Sequence, residues 1–428
     1  MIKTRIAPSP TGKFHIGTAR TALINYIFAR QNKGHFLLRM EDTDKERNQI
    51  KYEEDIKNGL KWLGLNWDGE IIYQSQKTDR YQSIVNQLIK QNSAYQKDGA
   101  VWFKVPENNK IEFNDLVRGK IEFKTEDLKD FVILRSDKSP IFYLSGVVDD
   151  NDTGITHIIR GEEHLSNTPK QILIIKALGW KLPIYAHLSL ILNSDRSKMS
   201  KRKDPVSISK DFKKNGYLPE ALVNYLFLLG FHPQEKFKVN DIYSTTEMFD
   251  IFYISRVQKG GAIFDLEKLN SINHHYIQQI PDDKLVQKLE KYQGDIDSNI
   301  FVRFISIIKP RLRYFEEIKA ELCWLVNSVD YHTNQLIFKK SNKNITIKAL
   351  GLISQSITKS ESIEVDSISK LLQSVVIENS LSNGDVYWSV RVALSGLEKS
   401  PPPEELIWVL GKKESLKRIN LAIEKLNN

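Results

Sequence analysis

The chain has 428 residues, too many for one compact core and enough for two to four domains, and its 41% hydrophobic and 27% charged residues are the proportions of a soluble globular protein. Lys+Arg 62 against Asp+Glu 53 leaves a net charge of +9, which suits a polyanionic partner but on its own describes only a lysine-rich proteome. One cysteine excludes a disulfide framework and any cysteine zinc site.

The start, MIKTRIAPSP, lacks the apolar segment of a signal peptide. Ile2–Ile6 reads as a short strand, broken by Pro8 and Pro10, which cannot donate to a ladder, and Gly12 frees the turn. From His15 the period changes: Ala19, Leu23, Tyr26 and Ile27 fall on one helical face, and Gly34 stops the helix. A helix opening on His15-Ile16-Gly17-Thr18 after a tight turn forms an anion site, because free N–H groups at a helix start attract phosphate. An ordinary strand–turn–helix is the plainer reading of the same residues. Phe36–Met40 reads as a buried strand ending in Glu41-Asp42-Thr43-Asp44, and a helix carrying Ile50, Ile56, Leu60 and Leu63 stops at Gly64. Short strands alternating with helices predict an α/β fold with a doubly wound parallel sheet. Ligands of such sheets collect at the carboxyl ends of the strands, where Ser9, Glu41 and the helix start lie.

From Tyr81 the pattern changes. A helix (Tyr81, Ile84, Val85, Leu88) leads into strand-like pieces at Val101–Val105, Ile111–Phe113, Lys120–Phe123, Phe131–Arg135 and Ile141–Val148, which read as a mixed α/β insertion. The parallel pattern resumes with a strand at Gly154–Arg160. Thr168-Pro169-Lys170-Gln171 then offers a capping threonine, a proline at the first helical position and a glutamine three on; that helix runs Ile172–Leu178 and ends at Gly179. Strand Tyr185–Leu192 delivers the chain to KMSKR, Lys198–Arg202. The longest apolar run, around Ala221–Phe231, is too short to span a bilayer, so the expectation is a cytoplasmic protein without membrane contact. From Pro219 almost every segment reads helical, with strand signals only at Gln335–Phe338 and Ile345–Ile347. Cys323, in the apolar run Leu322–Val326, reads as a core thiol, and Pro401–Pro403 as a rigid turn.

HIGT and KMSKR together resemble the signature pair of class I aminoacyl-tRNA synthetases, and the string RIAPSPTG..HIGTARTALINY resembles the glutamyl-tRNA synthetases of the bacterial type. The likeness continues through MEDTD at Met40–Asp44, VVDD at Val147–Asp150, IIRGEEHL at Ile158–Leu165, GYLPEALVNYL at Gly216–Leu226 and NHHYI at Asn273–Ile277. It resumes in RVALSG at Arg391–Gly396 and VLGKKESLKRI at Val409–Ile419, and so covers most of the chain. It implies a Rossmann-type catalytic domain in two halves, residues 1–80 and 146–195. Between them it places an inserted acceptor-end-binding domain, 81–145, without zinc, since no cysteine lies there. A KMSKR loop with a helical stem-contact domain, 196–284, and an all-helical anticodon-binding region, 285–428, complete the chain. The implied activity is ATP-dependent ligation of L-glutamate to tRNA(Glu) by a monomer, with Mg²⁺ accompanying ATP. The alternative is a relaxed or second-copy enzyme charging tRNA(Gln) with glutamate for later amidation. A shorter relative that glutamylates a modified tRNA base stops near the catalytic core, and the helical residues beyond about 285 argue against it. Intact HIGT and KMSKR argue against a catalytically silent RNA-binding paralogue.

The resemblance assigns roles residue by residue. His15 and Thr18 donate to phosphate oxygens as charge moves toward the leaving group; Gly12 and Gly17 belong to the ATP site, Gly17 letting adenine approach without a Cβ in the way. Lys198 and Lys201, with Met199 between them, bring positive charge to pyrophosphate, Lys201 matching the family's catalytic lysine; Ser200 and Arg202 shape the loop. Arg5, donor-only and always charged, reads the side-chain carboxylate of glutamate, Glu41 its ammonium and Arg160 the second carboxylate, with Ala7 and Ser9 completing the pocket. The plainer readings are a solvated acidic turn for Glu41 and an ion pair of Arg160 with Glu162 or Glu163. Aligning VVDD puts Phe142 where relatives present tyrosine and Gly146 where some present asparagine. On a strand Tyr143 faces the opposite way, so either the pocket loses a hydroxyl contact worth roughly 0.5–1.5 kcal/mol or the strand is bulged. His164, His187, His274 and His275 read as structural or RNA-contacting, and no protein cage for a metal is evident. Lys309-Pro310-Arg311 matches a family segment whose arginine contacts the third anticodon base.

Overall fold

Short buried strands with matching apolar faces set the frame of the N-terminal part. In the computed structural model, which describes residues 1–44, 46–199, 204–237, 241–326 and 329–428, the chain divides into units 1–273 and 274–428. The first unit opens with β1 (Lys3–Ile6), α1 (Ile16–Gln31), β2 (His35–Met40), α2 (Ile50–Trp62) and β3 (Ile72–Tyr73). β1 and β2 are parallel with Arg5 opposite Leu37, and β3 continues the parallel order beyond β2. After α3 (Thr78–Lys90) come β4 (Ala94–Lys97), β5 (Ala100–Phe103), the hairpin β6 (Lys110–Asp115) and β7 (Gly119–Lys124), then β8 (Phe131–Leu134). β4, β5 and β8 form an antiparallel sheet of their own.

The parallel pattern resumes with α4 (Phe142–Asp152), β9 (His157–Gly161), α5 (Thr168–Ala177), β10 (Ile184–Leu188) and β11 (Ile191–Leu192). β10 pairs with β9 along its length and touches β6 at Tyr185–Asp115, so the β6–β7 hairpin extends this sheet. The two halves meet where Thr156 N donates to Lys3 O (3.0 Å). Asn25, fully buried on α1, stitches the same seam: it donates to Ile159 O (2.9 Å), and its own carbonyl accepts the Thr4 hydroxyl (2.9 Å). α6 (Pro219–Leu228), α7 (Thr245–Ile251), β12 (Ala262–Ile263, parallel to β11) and α8 (Leu266–Gln278) follow. One continuous apolar core runs from α3 (Tyr81, Val85) through Phe103 and Ile133 to Leu144 on α4 and Ile172 on α5.

The second unit contains α9 (Asp282–Leu289), α10 (Ser298–Ile308), α11 (Ile318–Val326), α12 (Lys343–Lys359), α13 (Val365–Glu378), α14 (Ser389–Ser395) and α15 (Pro403–Asn427), the last kinked at Gly411 where φ is 75°. Its described residues contain no strand. Arg418, buried on α15, donates from Nη1 to Trp324 O and Leu394 O (both 2.6 Å), satisfying carbonyls that the ends of α11 and α14 would leave orphaned.

Several expectations need correction. Ile141–Val148 is not a strand but the start of α4. Leu144 to Asp150 are buried without interruption, and a helix buried on every side has no periodicity to distinguish it from a buried strand. Thr168 does not cap α5: Asn167 holds the cap position, and the Thr168 hydroxyl donates to His164 O (3.1 Å). Gln335–Phe338 and Ile345–Ile347 are not strands either; the first overlaps a 3₁₀ turn, Thr333–Leu336, and the second lies within α12. Cys323 is exposed on the outer face of α11, its thiol donating to Lys319 O (3.4 Å). Gly12 is not among the left-handed residues. At the end of α1 the left-handed residue is Lys33 (φ 52°), whereas Gly34 is needed because a Cβ there would lie 2.3 Å from Ile2 O.

Gly59 on α2 faces Phe14, the residue before His15, so closely that a Cβ would fall 2.3 Å from Phe14 Cδ1. Helix propensity alone would make Gly59→Ala stabilising by about 1 kcal/mol. Overpacking against the buried Phe14 ring predicts instead a loss of about 1–3 kcal/mol in chemical denaturation, and a stabilised variant would refute this packing role.

Candidate active site

β1 and β2 run parallel, as do β9 and β10, and residues at the carboxyl ends of both pairs line one cavity of about 740 Å³. Its lining draws on both sheets: Arg5 on β1 with Ala7 and Ser9 after it, His15, Gly17 and Thr18 at the start of α1, and Glu41 after β2. From the second half come Phe142, Arg160, His164 and Leu188–Ile191, with Lys198 and Met199 beyond. Gly12 and Gly146 are not in the lining, and Ser200, Lys201 and Arg202 lie outside the described residues.

The opening turn is held from three sides. Phe14 N donates to Asp55 (2.7 Å), Gln49 N to Pro10 O (3.1 Å) and Glu41 N to Pro8 O (3.0 Å), so the turn cannot move independently of the β2–α2 connection. Ile16 N donates to Val206 O (2.8 Å) and Ile208 N to Phe14 O (2.9 Å), which lays the segment after KMSKR alongside HIGT. His15 is the N-cap of α1: its Nδ1 accepts from Thr18 N (3.4 Å) and its Nε2 lies 3.1 Å from the Thr18 hydroxyl. An accepting Nδ1 leaves the proton on Nε2, so the imidazole can donate to the Thr18 oxygen and free that hydroxyl's hydrogen for an anion. A Cβ on Gly17 would sit 3.1 Å from the His15 ring, an added reason for glycine at that position. Lys198 closes a hairpin with Leu192 through the turn in which Asn193 N donates to Ser197 O (2.8 Å).

Beneath the cavity lies a buried ion network. Asp150 receives Arg5 Nε (3.0 Å), Arg5 Nη2 (3.3 Å) and Arg39 Nη1 (2.5 Å), and Arg39 Nη2 donates to Glu41 (3.1 Å). Asp149, next on the same helix, accepts Tyr81 OH (3.0 Å) and Gln74 Nε2 (2.7 Å) and lies 3.3 Å from Lys77 Nζ. Burial pushes the Asp150 carboxyl up, but the Arg39 and Arg5 guanidinium groups outweigh it and hold the group below the usual carboxylate range. For Glu41 burial wins over the same Arg39, and its carboxyl is raised. Burial, with Arg5 nearby, lowers Arg160 to about 10, and it lowers His164 to about 4, so that imidazole is neutral.

The plainer readings of two residues do not hold. Glu41 is not a solvated turn residue, its side chain being 13% exposed against Arg39, and Arg160 pairs with neither Glu162 nor Glu163. Arg160 donates instead to His187 Nε2 (3.2 Å) and Thr168 Oγ1 (2.9 Å), while Glu162 engages Arg118. Because α4 is a helix, the strand-face argument about Phe142 and Tyr143 is also replaced. Phe142 lines the cavity against the His164 ring (5.1 Å), whereas the Tyr143 hydroxyl accepts from Lys170 (3.2 Å). The sequence assigns no role to Arg39, Asp149, Asp150 or Asp115 and only a structural or RNA-contacting one to His187; the signal it offers is charge set inside apolar runs, HFLLRM and SGVVDD.

Residues 1–101 and 96–271 match the family described as tRNA synthetases class I (E and Q), catalytic domain, and residues 270–423 match one described as anticodon binding domain. The chain is 37% identical over 428 residues to a glutamate–tRNA ligase 2 of Neorickettsia sennetsu, covering 99% of this chain and 100% of that one. It is 36% identical over 480 residues to a glutamate–tRNA ligase of Aquifex aeolicus, covering 100% and 99%. A crystal structure of a glutamate tRNA ligase from Elizabethkingia meningosepticum in complex with its amino acid is similar at TM-score 0.87 and 28% identity, covering 99% of each chain.

Asp150→Asn leaves two buried arginines facing a neutral amide and should cost about 3–5 kcal/mol at pH 7. Because the folded-state pKa of Asp150 is depressed, its contribution is present above the ordinary value of 3.8 and is lost as pH falls through the lower folded value. Denaturant titrations of parent and variant should therefore differ by a constant amount from pH 7 to 5 and converge below pH 3.8. A gap that persists in full at acid pH would contradict the assignment.

Proposed function

The chain belongs to the class I tRNA synthetases for glutamate and glutamine, and from that premise we infer that it is a glutamate–tRNA ligase. It activates L-glutamate with ATP as glutamyl-adenylate and then transfers the glutamyl group to the terminal adenosine of tRNA(Glu). The relatives' names fit this reading and not the relaxed alternative that charges tRNA(Gln). The observation that carries the site assignment is the convergence of Arg5, Arg160 and Glu41 on a single cavity beside the start of α1. Glutamate brings two carboxylates and one ammonium, the complementary set.

Arg5 takes the side-chain carboxylate through Nη1, its Nε and Nη2 being committed to Asp150. Arg160 takes the second carboxylate. Glu41 takes the ammonium, and the gain is large because the cation relieves a carboxylate that burial disfavours. The amino acid lies over Ala7 and Ser9, with Phe142 and His164 closing one side; the tyrosine hydroxyl that relatives offer at position 142 is not replaced by Tyr143. In activation a carboxylate oxygen of glutamate attacks the α-phosphorus of ATP and the bond to pyrophosphate breaks. Catalysis of this step is positioning and charge stabilisation. Thr18, its hydroxyl hydrogen freed by the His15 imidazole, donates to phosphate oxygens at the positive end of α1, Gly17 flanks the nucleotide, and Lys198 and Lys201 neutralise the departing pyrophosphate, with Met199 at the ATP site. Mg²⁺ enters bound to ATP, and no step is assigned to a protein-held ion. In transfer the ribose hydroxyl of the tRNA attacks the adenylate carbonyl and AMP leaves, so no side-chain nucleophile is required. We assign residues 81–145 to the acceptor end of the tRNA, 196–284 to its stem and 285–428 to its anticodon.

Lys201→Ala should lower adenylate formation by about 10²–10³-fold, since the lysine acts on charge that develops only in the transition state, while tRNA affinity stays within about a few-fold. ATP–pyrophosphate exchange in the presence of tRNA, alongside equilibrium tRNA binding, checks both; an equal loss in each would sink the role.

Arg311 is exposed on the C-terminal unit, whereas its neighbour Lys309 is committed to Asp282 and Ile280 O (both 2.7 Å). As a donor-only group it should favour C over G at the third anticodon base, because the pairing edge of C offers two acceptors. Purified transcripts of tRNA(Glu) should be charged well ahead of tRNA(Gln), and Arg311→Gln should narrow the gap by about 1–3 kcal/mol. Equal charging by the parent would refute discrimination at this residue.

A further inference from the structure

Arg160 reaches the cavity from a buried chain of polar groups that the reaction described above does not use. Its Nε donates to His187 Nε2 (3.2 Å) and its Nη2 to Thr168 Oγ1 (2.9 Å), and Nη1 has no hydrogen-bond partner among the described residues. His187 is fully buried, and its Nδ1 lies 2.6 Å from Asp115 Oδ2. The other oxygen of Asp115 accepts Val117 N and Arg118 N (2.9 Å each) at the turn of the β6–β7 hairpin, and His187 N at 3.3 Å. The Thr168 hydroxyl lies 3.1 Å from both His164 O and His187 Nε2, either of which can accept its one hydrogen, while its lone pairs accept Arg160 Nη2.

We propose that Asp115 and His187 are positioning residues for substrate binding: Asp115 fixes His187 as the Nδ1–H tautomer, and the unprotonated Nε2 then holds the Arg160 Nε–H so that Nη1 is presented to the carboxylate of glutamate. The argument is one of donor and acceptor count. A carboxylate facing Nδ1 cannot donate, so Nδ1 must carry the proton, and Nε2 is then an acceptor. The opposite tautomer would set Nε2–H against Arg160 Nε–H, two donors at hydrogen-bond distance, and would compete for Thr168 Oγ1. Burial, which the contact with Asp115 only partly offsets, lowers His187 and keeps the ring neutral, while His187 and the hairpin amides hold Asp115 ionised against its own burial. The group that sets this tautomer comes from β6, within the insertion, and not from the strands that carry the pocket.

The inference rests on the reading of the cavity as the glutamate site, and the decisive variant is Asp115→Asn. Val117 N and Arg118 N keep the amide oxygen in place, so the amide NH₂ must face His187 Nδ1 and force the proton to Nε2. Pyrophosphate exchange by the full-length enzyme with tRNA(Glu) present should show KM for glutamate raised roughly ten- to a hundred-fold, with KM for ATP within about two-fold. Adding His187→Gln to Asp115→Asn should recover most of the loss, because glutamine has no tautomer to flip and its Oε1 can turn to Arg160. A merely structural role predicts that the second substitution deepens the defect. Arg160→Gln separates the two claims: an unchanged KM for glutamate overturns the site reading itself, whereas a raised KM there with an unaffected Asp115→Asn overturns the positioning role alone. The ¹⁵N shifts of the His187 ring in the unmodified enzyme give a test that needs no variant. An Nδ1–H signal at pH 7 is expected, and an Nε2–H tautomer or an imidazolium would overturn the proposal.

Discussion

Asp150 is the carboxylate on which the catalytic unit converges. Arg5 comes from β1 and Arg39 from β2, both in the first half of the chain, and Asp150 arrives on α4 only after the whole insertion has intervened. Each of these charges loses several kcal/mol of hydration on burial, and none is tolerable without the others. The halves therefore cannot be assembled separately and docked later at little cost; the network is complete or it is destabilising. Asp149 extends the constraint. Successive residues of a helix point about 100° apart. Asp149 can thus reach Tyr81 and Gln74 while Asp150 reaches the arginines, and one pair of adjacent acids ties α4 to two layers.

On the proposed assignment of Arg5, Glu41 and Arg160 to glutamate, the same burial prepares the cavity for its substrate. Arg5 and Arg39 share Asp150, which leaves Glu41 with one arginine contact and a raised carboxyl, and leaves Arg160 lowered among neutral groups. These groups are uncomfortable in opposite senses. An ammonium relieves the first and a carboxylate the second, so binding draws on strain already present in the folded protein. Recognition of a small zwitterion needs such placement because it offers little apolar area to bury.

The parts legible from sequence were those written locally. HIGT, the acidic residues after β2 and the KMSKR approach each need only a few adjacent residues, and Arg5, Glu41 and Arg160 could be placed at strand ends from them. What escaped was set by partners distant in the chain. Nothing near Arg39 announces that Asp150 will meet it, and nothing near Thr168 announces Arg160; its good capping context lost to that buried guanidinium. The misread of Ile141–Val148 has a related cause. Leu144 to Asp150 are packed on all sides, and β-branched residues in such a run carry strand character that only the surrounding α3 and α5 override.

The β6–β7 hairpin gives the insertion a hold on both ends of the reaction. Through Asp115 it sets the tautomer beside Arg160, and through Arg118 it engages Glu162, whose other oxygen accepts Leu190 N (2.8 Å) at the cavity wall just before β11. Both links start within four residues, Asp115 to Arg118; the first ends at His187 on β10, and the second at Leu190, in the link from β10 to β11 that leads to the KMSKR loop. Packed cores transmit displacement because they have no voids to absorb it. On the assignment of residues 81–145 to the acceptor end, a shift of this hairpin on RNA binding would be felt at the glutamate carboxylate and at the approach to the pyrophosphate loop together. The β6–β10 pairing makes that coupling a property of one sheet, and no separate moving domain is needed to carry it.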